Sequence, residues 1–283
     1  VIVYTEYPGQ APQVVEDQVT YPLTTAMISV PRSKAVRGFS FFGVSFVYII
    51  FQDGTDIYWA RSRVLEYLNF AQKTLPKGVT PSLGPDATGV GWVYQYVITG
   101  GDKTLADLRT LQDWFVRYQL NAVPGVAEVA SVGGFVQQYQ IDVDPNRLRQ
   151  YGLPLSAVVS AVRESNLNVG GNVLESNGAW LIVRGVGLIG SVEDVKRIVI
   201  GASGGTPVYI EQVADVQLGN AFRVASLVKG AKEAVGGVVV ARTGVNTKDV
   251  IDAVKARIAQ IQPGLPDGVS IVPFYDRSTM IEQ

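Results

Sequence analysis

The sequence contains no cysteine and no histidine. Without thiol and imidazole groups the chain has no disulfide, a structural zinc site is excluded, and histidine-based acid–base catalysis is impossible. Soft monovalent metal ions are held by clustered sulfur ligands, but the only two methionines, Met27 and Met280, lie at opposite ends of the chain. We therefore expect neither a resident metal nor a cofactor. The absence of cysteine is also compatible with an oxidising compartment.

Charge is scarce as well. Only 17% of the residues are charged, where about a quarter is usual, while 47% are hydrophobic. The 24 basic and 25 acidic residues nearly cancel, and no lysine or arginine cluster is present. This balance argues against nucleic acid as a partner. The sparse charge also indicates that large parts of the surface are normally covered by something else.

Long apolar runs are missing too. The best candidate, Val44–Phe51, has the length of a strand and falls short of the ~18–20 residues that a membrane span needs. The chain opens on Val1–Tyr4, which reads as a strand, without an initiator methionine or a signal peptide. We interpret the sequence as a fragment excised from a longer protein.

What is present is an internal repeat. A helix, a proline and a strand broken by glycine occur at 12–43, and the same order returns at 105–133. The first copy then closes at 53–79 with a polar turn, a helix and the phrase Leu-Pro-x-Gly-Val. The second copy reaches the same phrase only at 243–269. A long insertion therefore interrupts the second copy.

Each copy predicts a β-α-β-β-α-β unit of the ferredoxin-like type, so the fold class is α+β. Apolar residues at helical spacing support the first helix of each copy. In the first copy they are Val15, Val19, Leu23 and Ala26; in the second they are Leu108, Leu111, Phe115 and Tyr118.

The repeat divides the chain into three parts. The first unit is assigned residues 1–91 and 270–283, and the discontinuous second unit residues 92–136 and 227–269. Residues 137–226 form an inserted α+β domain. The last strand is able to complete either unit by pattern and is placed with the first.

Several polar motifs have an ordinary structural explanation. The pairs Asp53/Asp56 and Asp142/Asp144 offer oxygen ligands for a hard cation, but helix capping explains them better. No nucleophile–base set can be assembled, and we expect no enzymatic activity. In the insert, Asn177-Gly178 predicts a tight hairpin turn.

Specific motifs carry a family resemblance that covers essentially the whole chain. Thr5-Glu-Tyr-Pro-Gly9 resembles the start of the first periplasmic loop of resistance-nodulation-division efflux pumps. Asp53-Gly-Thr-Asp56 and the segment Gly84–Tyr96 are similar to the heavy-metal branch, and to its copper/silver type more than to its cobalt–zinc–cadmium type. Pro124–Gly134 and Tyr275-Asp-Arg-Ser278 continue the match.

The resemblance implies a role. The chain is expected to be the loop between the first and second membrane helices, on the periplasmic side of the bacterial inner membrane. The two repeated units correspond to porter subdomains and the insert to a docking subdomain. The intact pump is implied to be a proton-driven homotrimer that exports copper(I) or silver(I), with a periplasmic adaptor protein and an outer-membrane channel as partners.

Site residues follow from the resemblance and the strand pattern together. In the strand at 92–99, Gln95 lies between valines on one face, and with Ala130 and Val132 it is a candidate lining of the substrate path. Family members can carry an acidic residue near this position, so glutamine weakens a role in direct cation binding. An exposed sheet position is the open alternative. Trp180 is the candidate oligomer or docking contact, and the core of the insert is its alternative.

Two other functions stay open on the sequence. A pump of the same superfamily that exports organic molecules has a deep aromatic pocket. An unrelated small-molecule binding module built from ferredoxin-like repeats binds its ligand as an isolated chain.

Overall fold

The computed structural model describes residues 1–100, 102–176, 179–185, 187–223 and 225–281. The chain divides into two compact units. The first comprises Val1–Asp102, Leu111–Gly133 and Leu227–Gln283, and it contains the first predicted repeat and all of the second except the start of its first helix. The second comprises Lys103–Thr110 and Gly134–Ser226, and it contains the predicted insert.

The first repeat forms a four-stranded antiparallel sheet with the order β2-β3-β1-β4. Its strands are β1 (Ile2–Glu6), β2 (Ser33–Phe41), β3 (Val44–Phe51) and β4 (Pro81–Leu83). Helices α1 (residues 12–28) and α2 (Ile57–Ala71) pack on one face, where Val3, Val47 and Ile49 meet the helices in a buried core. The opposite face carries four exposed apolar side chains, three of them aromatic: Phe39, Phe41, Tyr48 and Ile50.

Helix α1 is not regular. It is α-helical over Pro12–Val15 and Tyr21–Ile28, with a π-helical turn over Glu16–Thr20 between them. The turn sets Thr20 into the core side, where its hydroxyl donates to Ser45 Oγ at 2.7 Å and accepts from Ser40 Oγ at 2.8 Å. Two neighbouring strands are thereby tied to the helix by buried hydroxyls.

The second repeat forms a sheet with the order β6-β14-β5-β15. These strands are β5 (Trp92–Gly100), β6 (Val126–Gly133), β14 (Lys232–Ala241) and β15 (Val269–Asp276), and the short β13 (Leu227–Lys229) pairs with β14. Helices α3 (residues 105–121) and α8 (Thr247–Ile261) belong to this repeat, and α3 also has a π-helical turn, over Gln112–Val116. Numbered within its own repeat, each sheet has the strand order 4-1-3-2, so the predicted pair of ferredoxin-like units is confirmed.

The assignment of residues 270–283 to the first unit is wrong. Strand β15 pairs with β5 from Val269↔Gly100 to Asp276↔Tyr94, and so completes the second sheet. The fourth position of the first sheet is filled by β4, whose three residues pair with β1. A three-residue strand that begins with proline gives almost no signal in a sequence, because proline lacks the ladder donor.

The second compact unit has its own core. Its strands and helices are, in chain order, β7 (Gln137–Val143), α4 (Pro145–Gln150), α5 (Leu155–Ser165), β8 (Val169–Ser176), β9 (Ala179–Gly185), α6 (Val192–Lys196), β10 (Val199–Ser203), β11 (Thr206–Tyr209), α7 (Ile210–Val213) and β12 (Ala214–Asn220). The core contains Leu148, Val158, Ile198, Ile210 and Val213. β8 pairs with β9, whereas the turn residues Asn177 and Gly178 lie outside the described residues.

The chain closes with the short helix α9 (Ser278–Ile281). Within the described residues, no helix combines the length and the apolar composition that crossing a membrane requires.

Candidate functional site

The predicted path residues lie on one face of the second sheet, opposite the face that carries the buried Tyr96. Gln95 on β5 is opposite Val238 on β14, and Val238 is opposite Ala130 on β6, so the three form one row across the sheet. Tyr275 on β15 extends the row on the other side of Gln95. The side chains of Gln95, Ala130 and Val238 are all half-buried.

Val132 lies in the adjacent row. It is opposite Gly236 on β14, and Gly236 is opposite Val97 on β5. The structure therefore brings all three predicted residues onto one face, and alternation along β6 places the exposed carboxylate of Glu128 on that face as well. An amide provides a carbonyl oxygen and two N–H donors but no charge. The Gln95 amide can orient a polar group, and this surface lacks the sulfur that would hold a soft cation.

A residue that the sequence pattern did not single out lies behind this face. Gln112 is fully buried in the π-helical turn of α3. Its Oε1 accepts from the Tyr96 hydroxyl at 2.9 Å, and its Nε2 donates to Ser131 Oγ at 3.2 Å. Burial raises the pKa of Tyr96, which keeps this phenol a neutral donor. Gly237 faces the same ring, and a Cβ there would collide with it.

An ion pair joins the end of strand β15 to helix α8. Lys255 Nζ on α8 lies 2.5 Å from Asp276 Oδ2, and Ser278 donates its hydroxyl to Asp276 Oδ1 at 2.7 Å. Burial acts to raise the pKa of Asp276, but the hydrogen bonds from Lys255 and Ser278 together lower it. The motif Tyr275-Asp-Arg-Ser278 thus anchors the last strand to helix α8.

The linker between the repeats is held at Asp86. Its carbonyl oxygen accepts a hydrogen bond from the backbone N–H of Thr243 at 3.0 Å. Thr243 precedes helix α8 of the second repeat. Its carboxylate accepts from the Tyr58 hydroxyl, on helix α2 of the first repeat, at 3.0 Å. Arg242 lies 3.7 Å from the same carboxylate. One residue is therefore bonded to both repeats.

The remaining candidate ligands have structural tasks. Asp56 Oδ1 caps helix α2 through the Trp59 N–H at 2.8 Å, and Asp144 Oδ1 caps α4 through the Asn146 N–H at 2.7 Å, so the capping interpretation is confirmed for these two residues. Met27 is fully buried and Met280 is 67% exposed. No group of three or more acidic, histidine or cysteine side chains that could hold a metal occurs among the described residues.

Trp180 lies on β9 of the second compact unit, opposite Glu175 on β8. Its side chain is 75% exposed, so it is not part of the core of that unit. A large exposed indole of this kind is typical of an interface anchor.

Comparison with known proteins gives one consistent result. The AcrB/AcrD/AcrF family model matches residues 1–283. The cation efflux system protein CusA of Escherichia coli K12 is 55% identical over 100% of this chain and 27% of its own length. The putative cation efflux system protein SilA of Salmonella typhimurium is 53% identical over 100% of this chain and 27% of its own length. The cobalt-zinc-cadmium resistance protein CzcA of Cupriavidus metallidurans is 38% identical over 99% of this chain and 27% of its own length.

A solved structure agrees. The crystal structure of a heavy metal efflux pump superposes with a TM-score of 0.90 at 33% identity, over 99% of this chain and 28% of that chain. The chain thus spans 27% of the length of the relatives named CusA and SilA. The match over residues 1–283, together with two sheets of one strand order, shows that this chain belongs to the AcrB/AcrD/AcrF family of the resistance-nodulation-division pumps.

Proposed function

We propose that this chain is the periplasmic porter and docking region of a proton-driven pump that exports copper(I) or silver(I). The single observation that carries the proposal is 55% identity to a cation efflux protein over the entire chain. The relative named for cobalt, zinc and cadmium is 38% identical, which favours the copper/silver type.

In this proposal the chain supplies a wall and does not hold the metal. The row formed by Gln95, Val238 and Ala130 would line the substrate path, with Val132 in the next row. Sulfur ligands suit these metal ions, and Met27 and Met280 cannot converge because one is fully buried in the first sheet's core while the other lies at the end of the chain. The task of this face is to shape the path around the Gln95 amide, with the exposed Glu128 two residues before Ala130 on the same face.

Assembly and location belong to the same proposal. We assign the first repeat and the second repeat to two porter subdomains, and residues 137–226 to a docking subdomain. The whole protein would be a homotrimer on the periplasmic side of the inner membrane, working with an adaptor protein and an outer-membrane channel. The exposed side chain of Trp180 supports a contact in the docking subdomain.

A segment exchange tests the function. Residues 1–283 replace the aligned segment of the Escherichia coli CusA protein, and the chimera is produced in cells that lack their own copy. Copper and silver tolerance of the cells is measured, and we expect the chimera to restore it. The matched control carries the aligned CzcA segment. A chimera present at normal abundance that restores no tolerance to either metal would contradict the proposal.

A titration of the 283-residue chain tests where the metal is held. We expect only weak copper(I) and silver(I) binding, since two separated thioethers cannot build a soft site. Anaerobic calorimetry measures the affinity. A stoichiometric site with a Kd below about 1 μM would show that the metal is held in this chain after all.

A further inference from the structure

The first repeat has a hydrophobic core of its own. Among the described residues, that core contains only side chains from residues 1–83. A cleft of about 600 Å³ is lined by both repeats, with Tyr48 of the first and Glu128 of the second among its walls. Two bodies that share no apolar core move against each other unless other contacts hold them. The polar contacts that join the repeats therefore decide how rigid the pair is.

The linker between β4 and β5 is bonded first to one repeat and then to the other. Before Asp86, Arg61 NH1 on helix α2 donates to Gly84 O at 2.6 Å, so this end of the linker is held by the first repeat. After Asp86, Arg277 at the end of β15 donates through NH1 to Val90 O, so the other end is held by the second repeat. Asp86 is the residue at which the linker passes between them.

The carboxylate of Asp86 is bonded in both directions. Its Oδ2 accepts from the Tyr58 hydroxyl on helix α2 at 3.0 Å and lies 3.7 Å from Arg242 NH1. Arg242 directly follows β14, and its Nε donates to Val126 O at 3.1 Å, which orients the guanidinium. Only 14% of the Asp86 side chain is exposed, and hydrogen bonds to an ionised carboxylate are stronger than neutral ones. One carboxylate thereby joins helix α2 to the end of β14.

We propose that Asp86 is a brace that fixes the angle between the two repeats. Its carbonyl oxygen accepts from the Thr243 N–H independently of the side chain, so the linker stays attached to the second repeat. The carboxylate adds the bond to Tyr58, and this bond stops the first repeat from rotating about the linker. Because β14 carries Val238, the brace also fixes where the proposed path face lies relative to helix α2. The brace goes beyond the proposed export function and does not depend on which substrate is exported.

The test follows the angle between the repeats through the distance between two spin labels. The sequence contains no cysteine, so labels attach only at the introduced Asn69→Cys on α2 and Ala256→Cys on α8, two exposed positions. Double electron–electron resonance gives the distribution of that distance in the 283-residue chain. We expect one narrow distribution for the labelled parent, and a width about twofold larger for Tyr58→Phe and for Asp86→Ala.

The two variants break the same bond, so their effects should not add. The double variant Tyr58→Phe/Asp86→Ala should give a distribution no wider than that of Asp86→Ala alone. Tyr21→Phe removes an exposed hydroxyl from helix α1 of the same repeat, and as the matched control it should leave the distribution unchanged. An unchanged distribution in Tyr58→Phe would overturn the proposal whatever Asp86→Ala does, and so would additive broadening in the double variant.

Should Asp86→Ala fail to fold, as judged by circular dichroism, Tyr58→Phe still decides. It removes a single oxygen atom from a side chain that is 51% exposed, so the core of the first repeat is left intact.

Discussion

At the scale of single residues, the least expected feature is an amide in the hydrophobic core. Gln112 is fully buried between Tyr96 and Ser131, and it satisfies one polar group on each of two strands. Buried polar groups are costly unless their hydrogen bonds are made, and here both ends of the amide are used. The network ties helix α3 to the rear of the sheet whose front carries Gln95.

Removing this amide should destabilise the fold. Gln112→Leu leaves the Tyr96 hydroxyl buried without its acceptor, and we expect a loss of about 1–3 kcal/mol in the free energy of unfolding. The double variant Gln112→Leu/Tyr96→Phe removes both partners and should recover part of that loss. Chemical denaturation of the two single variants and the double variant measures the coupling. Strictly additive losses would mean that the hydrogen bond contributes nothing.

The Lys255–Asp276 pair predicts a pH dependence. The folded-state pKa of Asp276 is lowered from 3.8, so its stabilisation is present above that value and is lost as the pH falls through the lower folded-state pKa. We expect Asp276→Asn to cost about 1 kcal/mol at pH 7, and this difference to shrink as the pH falls below 3.8 and through the lower folded-state pKa. Urea unfolding across the pH range checks it. A difference independent of pH would assign the effect to packing.

At the scale of elements, both π-helical turns accompany a long buried stripe with a spacing of four residues. The fully buried residues of helix α1 are Val15, Val19, Leu23 and Met27. A step of four residues overshoots one α-helical turn by about 40°, so such a stripe drifts around a regular helix. One wider turn brings the stripe back toward the sheet. Helix α3 repeats the spacing with Leu108, Gln112, Val116 and Leu120, which are all buried.

A deletion tests this explanation. A π-helical turn contains one extra residue, so deleting Trp114, which is 73% exposed, should leave a regular helix with both ends in place. Deleting Glu66 from the regular helix α2 is the matched control. It should rotate Leu68 and Ala71 by about 100° and prevent folding. Circular dichroism and thermal unfolding compare the two. Equal damage would contradict the extra-residue interpretation.

Sequence patterns predicted where most strands and helices lie, but for some helices they predicted the wrong buried face. In α3 the period of a regular helix selected Leu111, Phe115 and Tyr118, yet Val116 and Leu120 are the buried residues, because the π-helical turn shifts the face. The cap residues Asp56 and Asp144 were predictable, since capping is local chemistry. The pairing of β15 with β5 was not, because two sheets each had room for it and the choice depends on tertiary packing.

The same limit applies to the site. Alternation along β5 was sufficient to place Gln95 on the face opposite Tyr96, and the strand order then places Ala130 in the same row, with Val238 between them. An unrelated small-molecule module is no longer supported, since the family model matches residues 1–283.

At the scale of the whole molecule, the inserted domain occupies a tolerant position. In the first repeat, β2 and β3 are joined by the tight turn at Phe42 and Gly43, where Gly43 has a φ of 71°. In the second repeat the corresponding strands are β6 and β14, and residues between Gly133 and Lys232 replace that turn. Loop tips accept insertions because the strand pairing on either side is kept.

Assembly should depend on more than this chain. We expect the 283-residue chain to be a monomer or a weak oligomer, since it spans 27% of the length of its relatives. Sedimentation velocity over a concentration series measures this. Trp180→Ala should reduce any self-association without affecting folding, whereas Trp114→Ala, another exposed tryptophan, is the control. A stable trimer at low micromolar concentration would contradict the first expectation.

The interruption of the second repeat affects how the chain folds during its synthesis on the ribosome. All strands of the first sheet have been made once Leu83 is complete, so that sheet can form early. Strand β5 follows at once, but both of its partners, β14 and β15, come after the entire insert. At typical synthesis rates, on the order of ten seconds pass before β14 is made, and the valines of β5 remain exposed to solvent during that time. The nascent chain is therefore most vulnerable to aggregation, and most in need of a chaperone, during synthesis of residues 101–232.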